Sequence, residues 1–492
     1  MVLFPLLYKG TFFRTLESVV NPAMMPMSLL PHSTIDLVHA KTVEILSQVG
    51  VCIPDAQVLT QLLHAGLPVD VDAQMVRFPA EALQELLDQA PKNLQLYARD
   101  GQTPVPFDAG PRFMGSGTPV MVFDLHTGQR RPSTRQDVID MVRLEDALPN
   151  VDLVRPTMTA TDVPGDSGLV EIAESFRNTG KHVVHRVLKP ENVERAVELA
   201  AAVAGGEAAL RQRPIFTTLY CPISPSFMVK ENVQNVLRFA AHGVPVTVLS
   251  MAMGGASAPA TLLGEALVIN TEVIGYIAAI QALHPGAPVI YGSVSSVLDM
   301  RTGLLALGVP ESGLIHNCCA TMARFYGLRS MCAGFRSDAK RLDAQAAFEK
   351  MLTVLPVVQA GADIIYGIAA TDSGSTASFV QAVLDDEMAG GLRWMLQGVE
   401  LNDLTQEVEM IKRLTPRGNF LAEKHTRRHF REFWRPHILI RDSYEVWQRD
   451  GRTVEELARQ RALDLLITHA PPPLPAEAEA AIERILEHEK YE

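Results

Sequence analysis

Between residues 151 and 368 the chain alternates between short, apolar, β-rich runs and longer helix-like stretches. The runs lie at 151–158, 182–188, 214–220, 244–251, 288–292, 329–335 and 362–368, and the helix-like stretches include 192–204, 231–241, 261–282 and 343–359. Seven such alternations do not fit an antiparallel sandwich; they require a parallel sheet with helices outside it. An eighth strand falls either at 378–384 or around Phe113. The expected fold is a TIM-type (β/α)8 barrel over 111–388, with a doubly wound open sheet as the alternative.

The flanks read differently. Residues 1–32 form a ragged extension in which Met24, Met25 and Met27 are alternative starts, and 33–110 is a helical region. Residues 389–492 form a helical, more charged C-terminal region. There Pro471-Pro-Pro-Leu-Pro475 leads to a final amphipathic helix expected to dock on a neighbouring subunit or on the barrel.

A formal net charge of -12 argues against nucleic acid as a partner. Five cysteines without a C-x-x-C pair suit a reduced, cytoplasmic protein without a zinc ribbon. The apolar start is broken by Pro5 and followed by Lys9, unlike a secretory signal, and no unbroken apolar run approaches the length of a membrane span. No G-x-G-x-x-G or G-x-x-x-x-G-K-[ST] follows any strand, so a dinucleotide or P-loop site is not expected.

In parallel α/β proteins polar chemistry gathers at the C-terminal ends of the strands. The stretch 288–350 ends two strand patterns in Gly, Ser, Asp and basic residues, making Tyr291, Ser293, Asp299, Arg301, Arg336, Asp338 and Lys340 candidates for one pocket. Tyr220, Tyr291, Phe335 and Tyr366 stand at equivalent strand ends, where converging ring faces could hold a quaternary ammonium. Arg336 or Lys340, with Arg301, could clamp a carboxylate. A buried Lys340 could instead form a Schiff base, as in an aldolase-like barrel, or pair with Asp338. His425 and His429 are four apart on a helix but in a basic context without an acidic third ligand, so no metal site is expected. His182 and His185 sit three apart on a strand, pointing to opposite faces. Asp124-Leu-His-Thr-Gly128 falls one residue short of D-x-H-x-x-G, the motif that holds cobalamin through a histidine, and reads as a hairpin tip.

Eight short motifs occur in order: Asp146-Ala-Leu-Pro-Asn150, Met253-Gly-Gly-Ala256, Tyr291-Gly-Ser-Val-Ser-Ser296, Asp299-Met-Arg-Thr-Gly303, Val309-Pro-Glu311, Ser337-Asp-Ala-Lys340, Asp343-Ala-Gln345, and Gly418-Asn-Phe-Leu421 with His425-Thr426. Together they resemble the trimethylamine methyltransferase family across nearly the whole chain. The resemblance implies a TIM-type barrel and methyl transfer from a methylated amine to the Co(I) of a separate corrinoid protein. Trimethylamine-specific members carry pyrrolysine, which the resemblance places within 333–338; this chain has none and looks like the non-pyrrolysine branch, whose substrates include glycine betaine. Thr415-Pro-Arg-Gly418 departs from the family's glycine-rich G-P-G-G at one loop. No general base is needed, and no catalytic residue is assigned. The expected partners are the corrinoid protein, a small methylated amine and further copies of the chain, with neither corrinoid nor metal bound by this chain itself. A Schiff-base or lyase-type barrel enzyme, or a non-catalytic betaine-binding scaffold, are the alternatives.

Overall fold

The structure, a computed structural model, describes residues 27–117, 119–399 and 402–489. The extension expected at 1–32 lies outside them up to residue 26, with Met24 and Met25. Eight parallel strands close into a barrel: β1 (Arg112–Gly115), β2 (Leu153–Val154), β3 (His182–Val184), β4 (Phe216–Tyr220), β5 (Val246–Ser250), β6 (Val289–Ser293), β7 (Arg329–Ala333) and β8 (Ile364–Ile368). Each hands over to a helix: α1 (Arg135–Ala147), α2 (Gly168–Asn178), α3 (Asn192–Ala204), α4 (Lys230–Ala241), α5 (Leu262–Leu283), α6 (Pro310–Phe325), α7 (Ala344–Gln359) and α8 (Phe379–Leu396). The stretch around Phe113 supplies the open strand place. The alternative at 378–384 fails because Ser378 accepts a hydrogen bond from Gln381 N and so caps α8. A capping box between Thr134 and Asp137 starts α1 in the same way.

The barrel interior follows from the period of two along each strand. Met114, Leu153, Val184, Leu219, Leu249, Ile290, Met331, Ile364 and Tyr366 form one apolar cluster, while their strand neighbours Phe113, Val183, Tyr220, Val248, Tyr291 and Cys332 belong to the outer layer under the helices. Leu94, Leu96, Val105 and Phe107 join the inner cluster and plug the N-terminal end of the barrel. Between β8 and β1 the register shifts at Gly367, whose φ of 139° and approach to Gly334 admit no side chain: a Cβ would lie 1.9 Å from Gly334 O.

Helices His32–Gln48, Ala56–His64 and Ala80–Gln89 pack on the outer side of α5. By length and composition α5 could cross a membrane, with mean hydropathy 1.6. It is instead a core helix: 78% of that window is buried, and Asn270, Glu272 and Gln281 interrupt its apolar run. The last helix, Ala476–Glu489, docks on α3 and α2 of its own barrel, where Arg177 pairs with Glu479 at 2.6 Å.

Candidate functional site at the C-terminal mouth of the barrel

Of the candidate residues, the geometry brings Arg336 and Tyr366 together. Along β7, Met331 and Ala333 face inward, so alternation alone would send Phe335 inward too. The backbone turns left-handed at Phe335 (φ 49°), and its ring instead packs edge-on against Phe113 in the outer layer, 5.4 Å between centroids. Arg336 takes the inward place. Its guanidinium lies 6.0 Å from the Tyr366 ring and donates to Ser116 Oγ at 3.3 Å. Thr353 on α7 fixes the Arg336 backbone, its Oγ1 accepting from Arg336 N at 2.9 Å.

Two arginines that the sequence reading passed over complete the cluster. Arg155, just after β2, donates from Nη1 to Ser116 O at 3.0 Å; its Nε is buried with no hydrogen-bond partner. Gly117 leaves room for it, since a Cβ there would sit 2.0 Å from Arg155 Nε. Arg186, just after β3, lies close enough to disfavour the charge on Arg155, as does Arg336. Burial is the larger effect and brings Arg155 down to about 10. Among the described residues none of the three guanidiniums has a carboxylate within 4.0 Å. Cys221, after β4, packs against the inner cluster and feels Arg186 and Arg155. Arg155 and Arg186 carried the same signal as Arg336, a basic residue directly after a buried strand.

The aromatic cage does not assemble. Tyr220 and Tyr291 have the outward parity of their strands: the Tyr220 hydroxyl donates to Val187 O at 2.8 Å, and that of Tyr291 to Asn270 Oδ1 at 3.1 Å. With Phe335 also turned outward, Tyr366 is the one of the four rings in the barrel interior, its hydroxyl 3.5 Å from Ser293 O. Ser293 Oγ accepts from Ser295 N at 3.3 Å.

The remaining candidates lie elsewhere. Asp299 and Arg301 sit at the tip of a hairpin after β6, Ser296–Asp299 with Leu304–Ala306, and the Arg301 side chain is 88% exposed. Asp338 accepts from Leu307 N (3.0 Å), Gly308 N (2.9 Å) and Ser373 Oγ (2.7 Å), tying three loops together rather than facing a ligand. Lys340 is 65% exposed and pairs with Asp372 at 2.5 Å, so neither the pairing with Asp338 nor the desolvation that activates a Schiff-base lysine is present. His425 and His429 pair with Glu407 and Glu432. His126 lies on an exposed turn between Met121–Phe123 and Arg130–Pro132.

Beneath the mouth two groups set the electrostatics. Lys350 and Asp385, both fully buried, pair at 2.8 Å; Lys350 Nζ also donates to Phe335 O at 2.9 Å, and Asp385 Oδ2 accepts from Ala369 N at 2.8 Å. Phe335 (φ 49°) and Ala369 (φ 69°) are both left-handed, so one ion pair pins the strained ends of β7 and β8. Behind β1, Glu145 accepts from Thr157 Oγ1, its other oxygen is unpartnered, and burial pushes it up to about 8. Below pH 4.5 Glu145 is protonated in both the folded and the unfolded chain. Between 4.5 and 8 only the folded chain holds the proton, so stability falls as pH rises through this window. Glu145→Gln is therefore expected to flatten the decline of Tm between pH 5 and 8 and to raise Tm at pH 8. An unchanged Tm–pH profile would show that Glu145 ionises without penalty.

Comparison with known proteins accords with this architecture. The model of the family described as trimethylamine methyltransferase matches residues 11–492. The trimethylamine methyltransferase MttB of Desulfitobacterium hafniense (strain DSM 10664 / DCB-2) is 34% identical over 459 residues, 92% of each chain. The glycine betaine methyltransferase of Desulfitobacterium hafniense (strain Y51) is 30% identical, covering 93% of this chain and 96% of its own. The crystal structure of the Methanosarcina barkeri monomethylamine methyltransferase superposes with a TM-score of 0.51 at 12% identity, over 94% of this chain and 88% of that one, a likeness of fold. With a family match over nearly its whole length and relatives of both substrate types at this identity, the chain belongs to the trimethylamine methyltransferase family.

Proposed function

We propose that this protein moves a methyl group from a zwitterionic methylated amine, a betaine, to the Co(I) of a separate corrinoid protein. The observation that carries this reading is the cluster Arg155, Arg186 and Arg336 at the mouth, in which no described carboxylate pairs directly with a guanidinium, Asp338 acting on Arg336 only from beyond ion-pair distance. A bare trimethylammonium cation would be repelled by three guanidiniums with one ring beside them. A betaine brings its own anion, which Arg155 and Arg336 can take with charge-assisted bonds.

The corrinoid supplies the nucleophile, and the bond from nitrogen to methyl breaks as a neutral tertiary amine leaves. This chain's residues bind the carboxylate, hold Tyr366 against the ammonium end and keep water from a buried site. Large apolar side chains surround the mouth on successive loops: Val120, Leu188, Ile223, Met251, Met300 and Leu304 are 42–70% exposed. A crown of this kind suits a protein partner that closes the site.

The test is to mix the purified chain with Co(I) cobalamin on the partner corrinoid protein, and to offer trimethylamine, glycine betaine and longer betaines. Loss of the Co(I) absorbance together with the demethylated amine is expected with a betaine alone. Transfer from trimethylamine but from no betaine would sink the substrate class, and transfer from none would favour a binding scaffold. The chain alone is expected to show no corrinoid absorbance and no stoichiometric zinc, read by spectrum and metal analysis.

A further inference from the structure

The strand ends that form the mouth divide into two arcs. Round the closed barrel β7, β8, β1, β2 and β3 are successive neighbours, and so are β4, β5 and β6. The first arc turns Arg336, Tyr366, Ser116, Arg155 and Arg186 inward. Ser116 receives two of the guanidiniums, Arg155 on its carbonyl and Arg336 on its hydroxyl. Arg186 lies between His185, which bonds Glu171 on α2, and Val187 in the outer layer, so alternation sends it toward the barrel axis.

The second arc carries apolar side chains. Cys221 and Val294 pack on the inner cluster. Met251 continues the inward parity of Leu249. On either side of it, Ser250 reaches out to Glu272 on α5 and Ala252 belongs to the outer layer. Met251 is 42% exposed at the rim. Tyr366 joins the arcs: it stands on β8, its hydroxyl is beside Ser293 O on β6, and its ring spans the end of β7 between them.

A carboxylate stands behind the apolar arc. Glu272 is fully buried on α5 and accepts from Ser250 Oγ at 2.6 Å, Ser224 Oγ at 3.0 Å and Ser226 N at 2.9 Å. Burial raises its pKa, and these three neutral donors oppose the rise by favouring the ionised form. Cys221, at the seam between the arcs, feels Arg186 and Arg155 from one side and Glu272 from the other. The mouth is thus polarised across the barrel, positive over β2, β3 and β7 and negative behind β4 and β5. A zwitterion in such a field has one favourable direction.

Building on the betaine reading, we propose that the substrate lies across the mouth with its carboxylate on the arginine arc and its methylated nitrogen against Cys221, Met251 and Val294. Met251 and Glu272 are the residues that position the ammonium. Four of the six crown side chains, Ile223, Met251, Met300 and Leu304, stand on the loops after β4, β5 and β6, so the methyl group faces the side where a partner closes.

Calorimetry on the full chain with two probes reads the two ends separately. One is glycine betaine; the other is tert-butylacetate, which keeps the carboxylate and the shape but has carbon in place of nitrogen. Met251→Lys is expected to weaken glycine betaine at least about tenfold, the scale of one like charge in a protein environment, and to leave tert-butylacetate unchanged or tighter. Glu272→Gln keeps the size and an acceptor for the serines, and is expected to weaken glycine betaine alone. Leu63→Lys, 49% exposed on a helix outside α5, adds the same charge as Met251→Lys and is expected to change neither. For a Glu272→Gln protein that melts early, Met251→Lys carries the test, because the side chain it replaces is exposed. Loss of both probes or of neither in Met251→Lys, or unchanged glycine betaine affinity in a folded Glu272→Gln, would overturn the orientation and leave the betaine reading in place. So would a wild type that binds tert-butylacetate but not glycine betaine. A wild type that binds neither probe would remove the betaine reading and the orientation with it.

Discussion

Arg155→Ala and Arg336→Ala are each expected to weaken betaine binding about a hundredfold. A charge-assisted hydrogen bond is worth roughly 1.5–3 kcal/mol, and the upper end applies here because both guanidiniums are buried. Arg155 is 4% exposed and Arg336 7%. The loss falls on affinity for the zwitterion, measured by calorimetry; an amine without the carboxylate is indifferent to both changes or binds better. Lysine is a poor replacement, because its single nitrogen lacks the planar fork by which one guanidinium nitrogen holds Ser116 while another faces the ligand. The same Arg155 change carries a signature that structural damage does not share. A buried guanidinium with an unpartnered Nε costs stability when no anion is bound, so Arg155→Met is expected to hold or raise Tm while binding collapses. Betaine affinity unchanged in both alanine variants would remove the clamp from this site.

The second large effect is on stability. Lys350→Met leaves Asp385 as an unpaired charge in the helix layer and strips Phe335 O of its donor. Breaking one half of a buried ion pair costs on the order of 3–5 kcal/mol. The variant should melt far below the wild type or fail to accumulate. Lys350→Met/Asp385→Leu is expected to regain most of that loss, since two apolar side chains can fill the same volume without a buried charge. Its Tm recovers while betaine affinity stays low, because nothing then ties Phe335 and Ala369, and through them Arg336, to the helix layer. Wild-type affinity in the recovered double variant would show that the pair only stabilises the fold. An unstable double variant would show that Ala369 N, left without its acceptor, dominates the balance.

The strand–helix alternation from 151 to 368 carried the barrel by itself, and each of the seven runs contains a barrel strand in the structure. Burial on both faces makes parallel strands continuous apolar runs, which stand out in any sequence. β1 was harder to see because Arg112-Phe-Met-Gly115 stands ahead of the 151–368 alternation with no barrel strand before it, whereas 378–384 imitated a strand with apolar residues that belong to a capped helix. The basic residue at the end of β7 was equally legible, since position after a strand fixes which end of the barrel it reaches.

What the sequence left open was direction. Tyr220, Tyr291 and Tyr366 all end strands, but which face each ring takes depends on register, and a shift of one position exchanges inside for outside. At Phe335 even the register is insufficient, because a single left-handed residue inverts the alternation and exchanges the ring for the guanidinium of Arg336. That conformation is held from 15 residues away by Lys350 and from 50 by Asp385, through contacts that exist only once α7 and α8 lie side by side. Composition and periodicity thus determined the barrel and the end at which the candidate residues gather. Tertiary packing decided that three arginines, rather than four rings, meet there.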